Sequence, residues 1–212
     1  MHKTPYKHRF IAGSRCCTTK PLSQLLTKCL QEIKKLQENY CKAIYNNTGI
    51  NRMWILKNSA SLLETLKNED LGKVTHISTW DFSTLYITIP QKDLKDRICR
   101  LIKFAFKKND IKYIIVSERY AYFSRTESEK EGCISWTCSE FCKVFEFLID
   151  NIYVKFGDDI FQQTLGIPMG TDCAPVLADL FLYTYEYDFL DVLTKSKKTS
   201  SGKKVQFYIP IH

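Results

Sequence analysis

The sequence predicts an α+β fold in which a small antiparallel sheet is backed by helices. Three stretches have the apolar spacing or apolar content of helices: residues 22–45, 91–107 and 174–193. Three runs rich in β-branched and aromatic residues are predicted as strands: residues 74–80, 113–124 and 152–165. The last run is interrupted by Gly-Asp-Asp at residues 157–159, a turn sequence that predicts an antiparallel hairpin.

Two capping boxes mark the starts of shorter helices. Ser61 and Glu64 have the required spacing and predict a helix at residues 61–67. Thr137 and Glu140 repeat the pattern and predict a helix that follows directly.

The charge of the chain fits a polyanionic partner, and the alternative is a solvated basic surface. There are 31 basic and 23 acidic residues, which gives a net charge of +8, and basic side chains that neutralise phosphates release condensed counterions. The sequence contains no apolar run of membrane-spanning length, and the N-terminus lacks the apolar core of a signal peptide. We therefore expect an intracellular protein, cytoplasmic or nuclear, without a membrane partner.

The nine cysteines are expected to be reduced, and many of them to be buried as small apolar groups. Cys138 and Cys142 would share a helix face, and with Cys133 they leave a zinc site open as an alternative. No histidine lies near them and no CxxC pair is present, so we favour core packing.

Asp81 is the candidate catalytic residue, because it directly follows the predicted strand at residues 74–80. A carboxylate fixed at the end of a strand is well placed to bind a metal ion, and phosphoryl transfer through two Mg²⁺ ions needs such carboxylates. The alternative is an aspartate that caps a helix or turn. Tyr86, five residues later, could cover a nucleotide sugar or simply pack in the core.

A glycine-rich segment precedes the last predicted helix. Gly166 and Gly170 flank Ile167, Pro168 and Met169. Glycines allow a nucleic-acid backbone to come close, and backbone amides near a helix start favour phosphate. The alternative is a connecting loop shaped only by packing.

Three segments resemble reverse transcriptases. TWDFSTLY at residues 79–86, followed by Ile-Pro, is similar to the first palm motif of these enzymes, and GIPMGTDCAPVLADLF at residues 166–181 is similar to the second. PYKHRFIAG at residues 5–13 resembles the fingers segment upstream of the palm. The similarity is greatest to Penelope-like and related non-LTR retroelements.

The resemblance implies a fingers and palm architecture and RNA-templated DNA synthesis. Asp81 would be the first metal-binding carboxylate, and Phe82 would bind the metal through its backbone carbonyl. Tyr86 would read the sugar, and Lys7 and Arg9 would contact the template or the incoming deoxynucleoside triphosphate. The cofactor would be Mg²⁺, and the partners would be an RNA template and a DNA primer. The residues along template and primer would be Gly166, Pro168, Met169, Gly170 and Pro175.

The sequence departs from the family at the next motif. The family has an aromatic residue, any residue and two aspartates, whereas Tyr208 and Ile209 are followed here by Pro210. Since one aspartate cannot hold two Mg²⁺ ions, we expect these residues to be inactive alone, with the last palm hairpin and the thumb missing. Gly-Asp-Asp at residues 157–159 precedes the second palm motif and is interpreted as a turn. Asp172 and Asp179 are interpreted as helix-end and surface groups.

The resemblance predicts three segments: a mostly helical fingers region at residues 1–72, a palm with an inserted fingers segment at residues 73–193, and a basic low-complexity tail at residues 194–212, expected to be disordered. A non-catalytic nucleic-acid-binding remnant or domesticated module is the alternative to a polymerase fragment. A third hypothesis is a helical interaction protein that uses the apolar stripe of residues 22–45.

Overall fold

A computed structural model gives the architecture. It describes residues 17–55, 58, 60, 63–64, 67, 82, 84–108, 110–167 and 170–197, with side chains up to residue 192. The predicted strand at residues 74–80 lies outside these residues, and so does most of the predicted helix at residues 61–67.

The observed fold is α+β, as predicted. Its helices and strands follow the chain in this order: α1 (Lys20–Thr48), α2 (Leu85–Thr88), α3 (Gln91–Lys108), β1 (Tyr113–Val116), β2 (Ala121–Ser124), β3 (Ile134–Thr137), α4 (Cys138–Asp150), β4 (Tyr153–Phe156), β5 (Asp159–Gln162) and α5 (Ala174–Lys197). The last helix continues four residues beyond its predicted end and includes the start of the predicted tail; residues 198–212 are not among those described.

The chain divides into two compact units. The first comprises Met1–Lys34 with Thr84–Ala178, and the second comprises Lys35–Ser83 with Asp179–His212. The division by fingers and palm at residues 72 and 193 stays a prediction. Among the described residues, no helix combines the length and the hydropathy that a membrane span requires.

The predicted amphipathic stripe of α1 is buried inside the fold. Leu26, Cys29, Leu30 and Ile33 are fully buried at the three-and-four spacing that aligns side chains on one helix face. After the helix, Gly49 adopts a positive φ of 68° and donates its N–H to the Tyr45 carbonyl at 2.7 Å, which satisfies one terminal carbonyl. A stripe covered in this way does not favour the helical interaction protein.

The first unit has its sheet beside α3 and α4. Strand β1 lies in the centre and pairs antiparallel with β2 and with β3, so that Ile114 is opposite Phe123 and Trp136. Phe106 of α3 meets Phe123 edge to face, with ring centroids 5.7 Å apart. The three apolar residues of β1 that follow Tyr113 are all buried, so this strand anchors the core between sheet and helices.

Residues 113–124 form two strands, whereas their composition predicts a single strand-like run. Ser117 donates its N–H to the Tyr120 carbonyl at 2.9 Å, and Ser117 Oγ lies 3.3 Å from the amide nitrogens of Arg119 and Tyr120. A serine that bonds nearby backbone in this way stabilises a tight turn. The turn contains neither glycine nor proline, which is why the composition did not reveal it.

The hairpin predicted around residues 157–159 is confirmed. Strands β4 and β5 pair antiparallel, with Phe156 opposite Asp159, and Gly157 has a φ of +64°. Asp158 lies in the turn and Asp159 begins β5, and both are exposed. Large apolar side chains on both strands are also exposed; Phe156 is 69% and Ile160 is 71% accessible.

The second unit contains a polar cluster that is half-buried at Arg52, Tyr187 and Asp191 and buried at Gln37 and Tyr183. The Arg52 guanidinium donates to Tyr187 Oη and to Asp191 Oδ1, both at 3.2 Å, and lies 5.2 Å from the Tyr187 ring centroid. Tyr183 donates its hydroxyl to Gln37 at 3.4 Å. Burial raises the pKa of Tyr183 well above its usual range, so the phenol stays protonated.

Helix α4 begins with the predicted capping box. The Glu140 N–H donates to Thr137 Oγ1 at 3.3 Å, and Glu140 Oε2 accepts from the Thr137 N–H at 2.8 Å. These two bonds satisfy backbone donors that a helix start leaves free. The bonds from Thr137 hold the pKa of Glu140 below its usual range.

Removing this cap should destabilise the chain. We expect Thr137→Ala to lower the free energy of unfolding by about 1 kcal/mol, measured by urea denaturation. Thr126→Ala, at an exposed loop threonine, should have almost no effect.

The carboxylate form of Glu140 is the one that accepts these bonds, so the difference in stability between wild type and Glu140→Gln should be present at neutral pH. It should disappear as the pH falls through the lowered pKa of Glu140. Equal stabilities of the Thr137 and Thr126 variants would contradict this account.

Candidate nucleic-acid interface

Two segments far apart in the sequence are joined by backbone hydrogen bonds in the first unit. Gly166 donates its N–H to the Ile89 carbonyl at 2.8 Å, and Ile167 donates to the Tyr86 carbonyl at 2.6 Å. One segment is α2 with the two residues after it, and the other is the start of the glycine-rich loop. The structure therefore brings together the first and second motifs that the sequence analysis assigned to one site.

Gly166 makes this contact possible. It is buried, and its φ is +80°, in the left-handed region where side chains are disfavoured. A Cβ at this position would collide with the Tyr86 carbonyl oxygen and lie 2.7 Å from Ile87 Cα. The backbone that approaches Gly166 closely therefore belongs to the protein.

Gln91 holds the same loop from the first residue of α3. Its Nε2 donates to the Gln163 carbonyl at 2.9 Å and to the Gly166 carbonyl at 3.2 Å. The Gln91 side chain thus connects the start of α3 to residues 163 and 166, the two ends of the segment that leads into the glycine-rich loop. Sequence reasoning missed Gln91, because its partners lie more than 70 residues away along the chain.

The second motif is also fastened to α1. The Cys173 N–H donates to Ser23 Oγ at 3.2 Å, and Ser23 Oγ donates to Cys173 Sγ at 3.5 Å. Both residues are buried. Burial raises the pKa of the Cys173 thiol to about 11, so the sulfur stays protonated and packs as a small apolar group. Ser23 fixes the residue immediately before α5.

The described site residues differ in their exposure. Phe82 is 58% accessible, and Tyr86 is half-buried within α2. Gly170 lies half-buried in the turn before α5, and Pro175 is exposed in the first turn of that helix. The remaining predicted site residues lie outside the described residues: Asp81, Lys7, Arg9, Pro168 and Met169.

The described residues do not supply a metal site. None of their histidine, cysteine, aspartate and glutamate side chains form a group of three or more that could hold a metal ion. Asp172 is exposed and Asp179 is half-buried, at the helix end and in the first turns of α5. The carboxylates that two Mg²⁺ ions need are thus not found in this part of the chain, and we assign no step to Mg²⁺ there.

The cysteines of α4 pack against α3. Cys142 is buried, and a hydrogen bond with the buried Cys99 is the main cause of its lowered pKa. The same bond raises the pKa of Cys99, which also donates to Glu146 at 3.6 Å. Cys138 is half-buried on the same face of α4. Core packing, the interpretation we favoured, describes Cys99 and Cys142.

The chain was compared with protein-family models, with curated proteins and with solved structures, and none of the three comparisons found a match. The resemblance to reverse transcriptases stays a prediction that depends on the motifs.

The Gly166 contact gives a matched test. Gly166→Ala should destabilise the first unit by roughly 3 kcal/mol or more, since it adds a collision with the α2 backbone to the cost of a positive φ. Gly157→Ala is the control, because Gly157 has a φ of +64° and nothing within 4 Å of the added Cβ. It should cost only about 1–2 kcal/mol. Urea denaturation of both variants measures the difference, and equal losses would contradict the close approach.

The burial of Cys173 can be tested by alkylation. At pH 8.5 a thiol with a pKa of about 11 is only about 0.3% thiolate. Iodoacetamide should therefore modify Cys173 much more slowly than the half-exposed Cys133, as read by peptide mass spectrometry. In guanidinium chloride the two rates should become similar. Equal rates in the folded chain would show that Cys173 is accessible.

Proposed function

We propose that this chain is part of an RNA-directed DNA polymerase of the reverse-transcriptase type, and that α2 with the glycine-rich loop contacts primer, template and nucleotide. The observation that carries the proposal is the pair of hydrogen bonds from Gly166 and Ile167 to Ile89 and Tyr86. The resemblance assigns the two motifs to one site, and bonds that join their backbones support that assignment.

The chemistry of the loop supports contact with nucleic acid. Gly170 and the exposed Pro175 follow the buried Gly166 and lie at the start of α5. The loop ends at the N-terminus of α5, where the positive end of the helix dipole favours phosphate. The Cys173 and Ala174 amides there are already bonded within the chain and Pro175 has no N–H, so the dipole and not a set of free amides supports the contact. We assign contact with template and primer to the loop after Ile167, since the space beside Gly166 is taken by α2.

The nucleotide would meet α2. Tyr86 lies within this helix, its carbonyl is fixed by Ile167, and its side chain is half-buried. A tyrosine ring whose backbone is fixed in this way can form one wall of the space beside a nucleotide sugar, and it can restrict which sugars fit there. Asp81 and the Phe82 carbonyl are the groups that the resemblance assigns to Mg²⁺, and Lys7 and Arg9 are those it assigns to the template or triphosphate.

Binding and extension test the proposed function. We expect the chain to bind a DNA primer annealed to an RNA template, with an affinity that falls steeply as KCl rises, measured by fluorescence anisotropy. With Mg²⁺ and four deoxynucleotides we expect no extension by these residues alone. Extension that Asp81→Ala abolishes would show an active polymerase and contradict the expected inactivity.

The control for binding is Asp81→Ala. Asp81→Ala should bind primer and template at least as well as wild type, because it removes a negative charge. A chain that binds neither the hybrid nor single strands at 50 mM KCl would overturn the proposed function. Binding without extension, unaffected by Asp81→Ala, fits the non-catalytic alternative equally well.

A further inference from the structure

Helix α3 carries most of the net charge of the chain. Its 18 residues include seven lysines and arginines but only two aspartates, a net charge of +5 from seven minus two. The whole chain has a net charge of +8, so the other residues together contribute only +3. Both aspartates, Asp93 and Asp96, lie in the first two turns.

The second half of α3 has a basic outer face. Its apolar face is buried through Leu101, Ile102, Ala105 and Phe106, which directs the opposite face to solvent. Arg100, Lys103 and Lys107 are exposed there, and their spacing of three and four places them on one side of the helix. We call these three residues the α3 basic face.

The charges on this face are partly available to a ligand. Arg100 interacts within the chain, so Lys103 and Lys107 are the two charges considered available to a ligand. Lys103 and Lys107 form no ion pair in the part of the chain that the structure describes. Lys107 and Lys108 lie in the last turn, where cations are favoured by the helix dipole. That effect does not explain Lys103, which lies a turn earlier.

We infer that the α3 basic face is a second nucleic-acid contact, which binds the phosphate backbone of a duplex beyond the glycine-rich loop. The inference deepens and rests on the proposed function. From Arg100 to Lys107 the helix rises by about 10 Å, and phosphates of one strand follow at about 3.4 Å along a duplex axis. The face therefore spans roughly three phosphates.

The position of α3 suits this contact. Its first residue, Gln91, holds the loop, and Lys103 and Lys107 follow at about 18 and 24 Å along the helix axis. A duplex of about a dozen base pairs extends roughly 40 Å, so one duplex is long enough to reach both the glycine-rich loop and the two lysines. Contacts of this kind position the duplex without reading its sequence.

A nucleic acid fits this face better than a membrane surface. A helix that lies on a membrane inserts an apolar face between the headgroups. The apolar residues of α3 are instead buried inside the protein. What remains outside is a row of positive charge about 10 Å long, which favours a polyanion that needs no apolar insertion.

The test measures salt dependence with matched neutralisations. The probe is an RNA–DNA hybrid of about 16 base pairs, long enough to extend past α3, and affinity is measured by anisotropy from 50 to 300 mM KCl. The variant is Lys103→Gln with Lys107→Gln, and the control is Lys112→Gln with Lys130→Gln, which are exposed lysines outside α3. Thermal melts confirm that each variant is folded, and Lys103→Gln alone replaces the double variant if it is not.

We expect the double variant to make the slope of log K against log [KCl] less negative by about 1.8, since each phosphate contact contributes about −0.9. Its affinity at 100 mM KCl should fall roughly 10- to 50-fold, while the control pair keeps the slope of wild type. For the single variant Lys103→Gln, the slope of log K against log [KCl] should become less negative by about 0.9.

Three results would overturn the inference. If wild type binds and both pairs have the same slope, the α3 basic face is not a contact, while the proposed function stands. If wild type does not bind the hybrid, the inference and the proposed function fail together. If wild type binds vesicles containing phosphatidylserine more tightly than the hybrid, and the α3 pair reduces only vesicle binding, the face is a membrane surface.

Discussion

The first unit depends on one close backbone approach. At Gly166 the chain passes so near α2 that no side chain fits between them, and the two hydrogen bonds on either side of this point set the register of the loop. Buried backbone donors without partners would destabilise the fold. The two donors here can reach their carbonyl partners only because Gly166 has no Cβ to keep the two backbones apart. Gln91 adds a side-chain bond to the same strand of backbone. These contacts fix the start of the glycine-rich loop against α2.

Most of the regular structure could be predicted from local signals. The stripe of α1, the capping box of α4 and the turn at Gly157 each lie within a few residues of the element they define. The turn at Ser117 was missed because a serine side chain replaces the usual glycine. A side-chain hydrogen bond of this kind has no compositional signature.

The candidate site could be predicted only in part. The resemblance to reverse transcriptases grouped Tyr86 with the loop, and the structure joins their backbones. The need for a glycine at position 166 could not be predicted from the residues next to it in the sequence. The atoms that exclude a Cβ come from α2, about 80 residues earlier. Ser23 and Gln91 are common polar residues whose partners are distant. Only the folded chain distinguishes them from surface residues.

The hydrogen bonds between α1 and residues late in the chain affect the order in which the chain can fold during synthesis. Ser23 bonds Cys173 across 150 residues, and Cys41 lies 3.2 Å from the Tyr183 hydroxyl across 142. A ribosome adds about 5–20 residues per second, so α1 is complete for several seconds before these partners exist. Its buried positions are exposed during that interval, and closing so long a loop is entropically slow. The helix made early is therefore among the last to reach its final contacts.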